Sequence, residues 1–383
     1  MVINMENQVY EIGSMVEGLR CPIQPTEISY IKELVDKLKS IGSKNLYNVT
    51  HESDLDGISS AALLCKFFSM PLDHIYFTDY KPDKIKKATE SVDSLNLKGA
   101  AIIISDFGSN QANTEIMKEF LSKQKNKGNM LIWLDHHPWL EDAIAAMSQI
   151  LDFGIAGENR DYCATEIVYK MLCEQADADG TGRKIAETAH IADFNLAPPP
   201  PLNDASPNTG LAITYYAHID KEKLNDGLRG LVSDVANLEY ESGRFAKATA
   251  SYRQAAQAEF EKMKKSIVQI DSYGIKTVIG FGRFMHATST CNMLHELTGA
   301  ALIIYVRTDE NSASLRSWGD VDCSKIAFKM RGGGHPHAAA FGIDNYGDLS
   351  TKEAQDKFIE TISPMIALSV GNDYTKNRGL SVQ

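Results

Sequence analysis

Four apolar residues run straight into an acid and two adjacent histidines in Leu131-Ile-Trp-Leu-Asp-His-His-Pro138. The apolar run reads as a buried strand. Such a strand does not finish on three groups this hydrophilic unless something binds them, because an unpaired buried charge is expensive. In an open parallel sheet the ligand crevice lies at the carboxyl ends of the strands. Asp135, His136 and His137 therefore anchor a candidate active site, for which the rest of the chain must supply partners.

The same layout recurs upstream. Residues Ile28–Ile41 repeat apolar positions at helical spacing and Gly42 stops them. Asn45–Thr50 reads as a strand that enters His51-Glu-Ser-Asp-Leu-Asp-Gly57, and Ile58–Met70 reads as a helix. Ile75–Phe77 is a short strand, Ala100–Ser105 a strong one ending on Asp106-Phe-Gly, and Glu115–Lys123 a helix. Alternating strands and helices predict an α/β fold with a mostly parallel sheet flanked by helices. Three strands deliver acids or histidines at their carboxyl ends, which is more than chance placement gives.

Helices are expected over Ala164–Cys173 and Arg183–Ile191, the second running into Asp193. Pro198–Pro201 suits only a stiff exposed turn. Residues 221–270 are charged and helical in pattern and read as a connector. A smaller α/β region follows, with strands at Thr277–Phe281, Leu302–Val306 and Ser312–Ser317 and a helix at Ser289–Leu297. The expected division is 1–220, 221–270 and 271–383.

With 383 residues the chain exceeds one ordinary core. Its net charge of −11 argues against a sheath for long duplex nucleic acid, yet allows a small anionic substrate. The stretch Met1–Pro25 holds Glu6, Glu11 and Glu17 and no continuous apolar run, so it does not read as a signal peptide. No apolar run approaches membrane length. Six scattered cysteines without a C-x-x-C pair read as reduced thiols, and a cytoplasmic location is expected.

His51, Asp54 and Asp56 share one loop, with Asp106, His136 and Asp193 as further candidate ligands. Carboxylates and imidazoles without thiolates suit Mn²⁺ or Mg²⁺, and the histidines favour Mn²⁺. Carboxylates crowded together repel unless neutralised, and a metal pair about 3.5–4 Å apart would also clamp a phosphoryl group. Each residue alone has an ordinary explanation. His51 could be a surface histidine, Asp54 a helix N-cap, Asp106 a turn residue, and Asp193 an acid at a helix end. Their recurrence at successive strand ends outweighs those explanations. Asp79, Asp152, Asp161 and Asp204 stay with structural roles, as do His286 and His295. Downstream, Arg331-Gly332-Gly333-Gly334-His335-Pro-His337 offers glycines that let backbone approach an anion and histidines that could touch phosphate or a base. Arg316 and Arg331 could pair with phosphate.

Together these residues resemble the DHH phosphoesterase family with a C-terminal DHHA1 domain. The likeness rests on His51-x-x-Asp54-x-Asp56-Gly57, Asp106-x-Gly108, Asp135-His136-His137 and Gly332-Gly-Gly-His335-Pro-His-Ala-Ala. It covers nearly the whole chain, although Arg331 and Ala340 stand where the family commonly has glycine. The resemblance implies a Mn²⁺ phosphodiesterase with two ions, Mg²⁺ being a substitute, and an active site in a cleft between the two domains. By that likeness His51, Asp54 and Asp106 hold one ion, and Asp56, Asp106, His136 and Asp193 the other. His137 would contact the scissile phosphate and Asp135 would orient a ligand. Arg316, Arg331, Gly332–Gly334, His335 and His337 would bind substrate.

The two-domain length resembles the nanoRNases and dinucleotide phosphodiesterases, so the implied substrate is a linear dinucleotide or short RNA such as pGpG. No membrane partner is expected, and a second copy of the chain is a candidate partner. Cyclic-dinucleotide cleavage, pAp hydrolysis and pyrophosphate hydrolysis use similar centres. A catalytically dead scaffold would show eroded ligand positions, and none of these positions is eroded.

Overall fold

The computed structural model describes residues 2–4, 25–110, 113–137, 139–156, 162–194, 196, 205–272, 274–319, 321–343 and 345–369. The expected turn at Pro198–Pro201, together with Asp161, Asp204, Cys21 and Pro138, lies outside them. The chain divides into two compact units, Met1–Tyr252 and Arg253–Gln383. No helix among the described residues is long and apolar enough to cross a membrane.

The first unit is built on β1 (Val2–Asn4), α1 (Pro25–Ile41), β2 (Leu46–His51), α2 (Leu55–Phe68), β3 (Ile75–Thr78), α3 (Pro82–Ser94), β4 (Ala101–Ser105), α4 (Thr114–Asn126), β5 (Met130–Leu134), α5 (Glu141–Ser148) and β6 (Phe153–Ala156). Its remaining helices are α6 (Ala164–Val168), α7 (Thr181–Asp193), α8 (Ala205–Thr214), α9 (Leu224–Ala236) and α10 (Gly243–Lys264), which crosses the boundary at Tyr252.

The six strands form one sheet in the order β1-β6-β5-β4-β2-β3, and every neighbouring pair is parallel. Parallel sheets need apolar cover on both faces, and the alternation of side chains supplies it. Leu46, Ile103, Ile132 and Phe153 pack with α1, α2 and α6–α9 on one face. Tyr47, Ile102, Ile104 and Trp133 pack with α3–α5 on the other. The chain leaves β2 for β3 on one side and returns to β4 on the other. The reversal opens a crevice at the carboxyl ends of β2 and β4, where such sheets bind ligands.

One expectation needs correction here. The helical run expected over 221–270 holds two helices: α9 ends before Leu238, which adopts φ +58°, and α10 begins at Gly243. Its last residues belong to a strand and not a helix, because β-branched Val268 and Ile270 pair with Ile279 and Thr277. The helix expected over Ala164–Cys173 is present, α-helical to Val168 and π-helical over Tyr169–Cys173.

The second unit contains β7 (Val268–Ser272), β8 (Ile275–Gly282), α11 (Ala287–Thr298), β9 (Leu302–Arg307), β10 (Ser312–Ser317), α12 (Cys323–Lys329), β11 (Gly333–His335), β12 (Ala338–Gly342) and α13 (Lys352–Ile362). Its sheet runs β11-β12-β10-β9-β8-β7, with only β8 and β9 parallel. Ile279, Ile304, Leu315 and Phe341 pack against Ile326 of α12 and Phe358 of α13.

Candidate metal centre

Three adjacent parallel strands present their carboxyl ends side by side, and the polar residues just beyond them converge. β2 ends on His51, whose Nδ1 lies 2.7 Å from Asp54 Oδ2. Asp54 also caps α2, with Oδ1 accepting the Gly57 N–H at 3.1 Å. The N-cap expected of Asp54 is thus present, and its other oxygen faces His51. Gly57 is required by the same turn, because a Cβ there would sit 2.2 Å from the His51 carbonyl oxygen.

After β4, Asp106 takes the left-handed conformation at φ +52°. Non-glycine residues held there are strained, and such strain clusters at functional sites. The kink buries the Asp106 carboxylate between the β2 and β5 loops, where it is 1% exposed. His51 Nδ1 lies 3.8 Å from Asp106 Oδ2, and His136 Nε2 lies 3.9 Å from Asp106 Oδ1.

After β5 the two histidines take different surroundings. His136 Nε2 lies 3.7 Å from Asp56 Oδ2 and 3.8 Å from Asp193 Oδ2. His137 Nδ1 meets Asp135 Oδ1 at 2.8 Å, and Asp135 Oδ2 accepts the Trp139 indole N–H at 2.8 Å. Asp56, buried on α2, accepts the backbone N–H groups of Ala164 and Thr165 at 2.8 and 2.7 Å.

The structure therefore brings together His51 with Asp54 and Asp106, Asp56 with His136 and Asp193, and Asp106 with His136 and His137. In each group the candidate ligand atoms lie within 4.8 Å of one another. The donor set fits divalent ions. Among the described residues, Asp106 Oδ2 and both ring nitrogens of His136 are buried without a hydrogen-bond partner. Orphaned buried polar atoms call for an ion or water, since each costs about 1–3 kcal/mol when unmet.

Electrostatics follow the same layout. Burial, then the charges of Asp54, Asp56 and Asp135, push Asp106 well above the usual carboxylate range. Burial and the charge of Asp56 raise Asp193 to about 6. Burial opposes ionisation of Asp54, yet His51 and the Gly57 N–H hold it below its ordinary value. Burial would lower His137, but the Asp135 carboxylate outweighs it and lifts the imidazole to about 9.

Several contributors escaped the sequence reading. Tyr80 lies two residues beyond β3, a strand-end position like the others. Its ring stacks on Phe107 at 5.1 Å and meets His51 and His137 edge-on at 5.3 and 5.8 Å. Its hydroxyl accepts the Gly108 N–H at 3.2 Å. Trp139 and Glu166 also went unnoticed. Cys163-Ala-Thr-Glu166 has the spacing of a capping box, with Cys in place of Ser or Thr. The acids left aside behave structurally: Asp79 pairs with Lys84, and Asp152 accepts the Leu131 N–H. His295 stacks on Trp318 at 3.9 Å.

In the second unit the glycine run is a hairpin strand, not an open loop. The N–H groups of Arg331 and Gly332 are taken by the Phe328 and Ala327 carbonyls of α12, so neither contributes to an anion nest. Gly334, at φ +135°, would place a Cβ 2.5 Å from the Ala338 carbonyl oxygen. Arg331, Gly333, Gly334, His335 and His337 are exposed. Arg316 donates to Thr288 Oγ1 at 2.9 Å, and Ser317 Oγ lies 3.1 Å from His337 Nδ1.

Comparison with known proteins gives a consistent picture. Residues 46–196 match the DHH family N-terminal domain, and residues 279–367 match the DHHA1 domain. No curated protein matches the sequence. Among solved structures, RecJ from Thermus thermophilus in complex with Mn²⁺ is 13% identical, with a TM-score of 0.52. That match covers 88% of this chain and 54% of RecJ. A manganese-bound exonuclease RecJ is 14% identical over 90% of this chain and 96% of its own, with a TM-score of 0.51. The pGpG-specific phosphodiesterase PggH from Vibrio cholerae is 11% identical over 84% of this chain and 99% of its own, with a TM-score of 0.45. The two family domains, in this order and carrying these strand-end residues, make the chain a member of the DHH/DHHA1 phosphoesterase family of metal-dependent hydrolases.

Proposed function

We propose that this enzyme uses two Mn²⁺ ions to cut linear dinucleotides and short oligoribonucleotides, pGpG among them, into nucleoside 5′-monophosphates. The observation that carries the reading is the unsatisfied set at the strand ends: Asp106 Oδ2 and both His136 nitrogens, buried among four further candidate ligands. In this reading His51, Asp54 and Asp106 hold one ion and Asp56, Asp106, His136 and Asp193 the other. Bound divalent ions supply Lewis-acid stabilisation of the phosphoryl group and let water act as a nucleophile near neutral pH.

The protein's own groups do the rest. The Asp135 carboxylate beside His137 favours its protonated form, so the ring is suited to donate a hydrogen bond to the scissile phosphate. Its side chain is 35% exposed, which leaves it open to a ligand. Asp135, itself pinned by Trp139, fixes the ring's orientation. In the second unit Arg316, Arg331, His335 and His337 supply the donors that suit a terminal phosphate and base, on a hairpin where Gly332 and Gly334 allow close approach of the Ala340 and Ala338 carbonyls and Gly333 faces open space.

The test is hydrolysis of pGpG, pApA, a five-mer RNA, cyclic di-GMP and pAp side by side, with Mn²⁺ and after chelation. Mn²⁺-dependent release of monophosphates from the linear dinucleotides, fading with length, is expected. Preferential opening of the cyclic substrate, or of pAp, would overturn the substrate assignment. No turnover of any would overturn the catalytic one.

A further inference from the structure

Glu166 is a carboxylate 1% exposed to solvent, and the reaction outlined above makes no use of it. One of its oxygens, Oε1, has no hydrogen-bond partner among the described residues. The other, Oε2, lies 2.8 Å from the Cys163 N–H and 2.9 Å from His190 Nδ1. Burying a carboxylate this incompletely satisfied is unfavourable unless it fixes something in place.

What it fixes lies on both sides. Closing the first turn of α6 through Cys163 sets the two following N–H groups, those of Ala164 and Thr165, on the Asp56 carboxylate. Thr165 Oγ1 adds a third tie, donating to the Asp56 carbonyl at 2.8 Å. On the other side His190 stands three residues before Asp193 on α7, so the two share one helix face. The His190 ring also packs on Phe194 at 4.7 Å, and Phe194 meets His136 edge-on at 6.5 Å. One buried carboxylate thus reaches both acids that flank His136, one through α6 and the other through α7.

We propose that Glu166 and His190 are positioning residues that hold Asp56 and Asp193 at the spacing needed to bind a divalent ion with His136. Neither touches the ion. They act as the hydrogen-bonded outer layer that orients metal ligands, whose loss typically weakens binding about 10–100-fold. The proposal rests on the metal-centre reading above and goes beyond it by naming what sets the geometry of one ion's site.

The test is a Mn²⁺ titration of the full chain followed by electron paramagnetic resonance of free Mn²⁺, with melting temperature measured alongside. His190→Ala is expected to weaken one class of site about 10–100-fold and leave the other unchanged. His190→Asn carries an amide nitrogen where Nδ1 stood, and it is expected to restore most of that affinity. Glu166→Ala should behave as His190→Ala does. Unchanged Mn²⁺ affinity in His190→Ala overturns the proposal, whatever happens to the melting temperature. Equal weakening by His190→Ala and His190→Asn overturns it too, because only packing would then matter. Asp193→Ala is the control. If it leaves Mn²⁺ binding unchanged, the ligand assignment has failed; if it weakens binding while His190→Ala does not, only the positioning role has failed.

Discussion

Asp106→Asn separates the demands of folding from those of function. In the metal-free protein Asp106 is buried at a left-handed residue, and its Oδ2 has no partner among the described residues. Asparagine tolerates that backbone and keeps the shape while removing the charge. Relief of one unmet buried carboxylate oxygen is worth about 1–3 kcal/mol. At roughly 2–4 °C per kcal/mol for a unit of this size, the chelated variant should melt about 2–12 °C above the chelated parent. Mn²⁺ should reverse the order. At a hundred times its Kd each ion adds about 2.7 kcal/mol to the state that binds it, and the parent should gain this for two ions, more than the relief of about 1–3 kcal/mol, while the variant should not. Turnover should fall by about 10⁴-fold, the order seen when one member of a catalytic set is removed. The assay is thermal unfolding with EDTA and with Mn²⁺, paired with dinucleotide hydrolysis. A variant less stable than the parent under chelation, or one with a parental Mn²⁺-induced shift and near-normal turnover, would refute the argument.

The two histidines should prove inequivalent: His136→Ala is expected to abolish one class of Mn²⁺ site, while His137→Ala binds Mn²⁺ normally and loses turnover, read by titration and hydrolysis together. In the metal-free protein the His137 ring should titrate by NMR near pH 9, and Asp135→Asn should bring it back toward 6.5. Because the folded pKa is the higher one, the pairing stabilises fully below about pH 6.5 and is lost as pH rises toward 9, so melting temperature should decline across that window, and less steeply in Asp135→Asn. Gly57→Ala should destabilise the first unit by about 1–3 kcal/mol in denaturant unfolding, since its Cβ would meet the His51 carbonyl at 2.2 Å. Gly334→Ala should raise KM for the dinucleotide and leave Mn²⁺ affinity alone.

Much of this was legible in the chain because strand ends are a sequence-visible place. Apolar runs that stop abruptly mark where β2, β4 and β5 leave the core, and the polar residues after them must meet if the strands are parallel neighbours. The strand order that makes them neighbours is a tertiary fact, and so is the departure of Asp106 into left-handed space. Tyr80 was missed because β3 is only four residues long and its polar exit looks like any turn. Glu166 and His190 lie 24 positions apart on separate helices, and nothing local couples them. The break between α9 and α10 carries local signals, Asn237 at the end of α9 and Ser242-Gly243 at the start of α10, that the helix-favouring Ala, Lys and Glu of α10 outweighed.

The carboxylates and imidazoles nearest the crevice show why the fold suits a cation there. A protein that crowds acids must answer for each one. Asp54 is answered by His51 and the Gly57 N–H, which draw it below its ordinary range. Asp56 is answered by two backbone N–H groups at the start of α6. Asp193, with 24% of its side chain open, is raised only to about 6. Asp106 has the poorest answer among the described residues: it is buried, its charge is opposed by three neighbouring acids, and one oxygen has no donor. Beside it His136 presents two unpartnered nitrogens where a protein donor or acceptor would have been easy to supply. A site shaped only for stability would have given both groups partners from the chain. An acceptor and a nitrogen left unmet at the same point are groups that a cation would satisfy, and the left-handed backbone of Asp106 keeps its carboxylate buried beside His136.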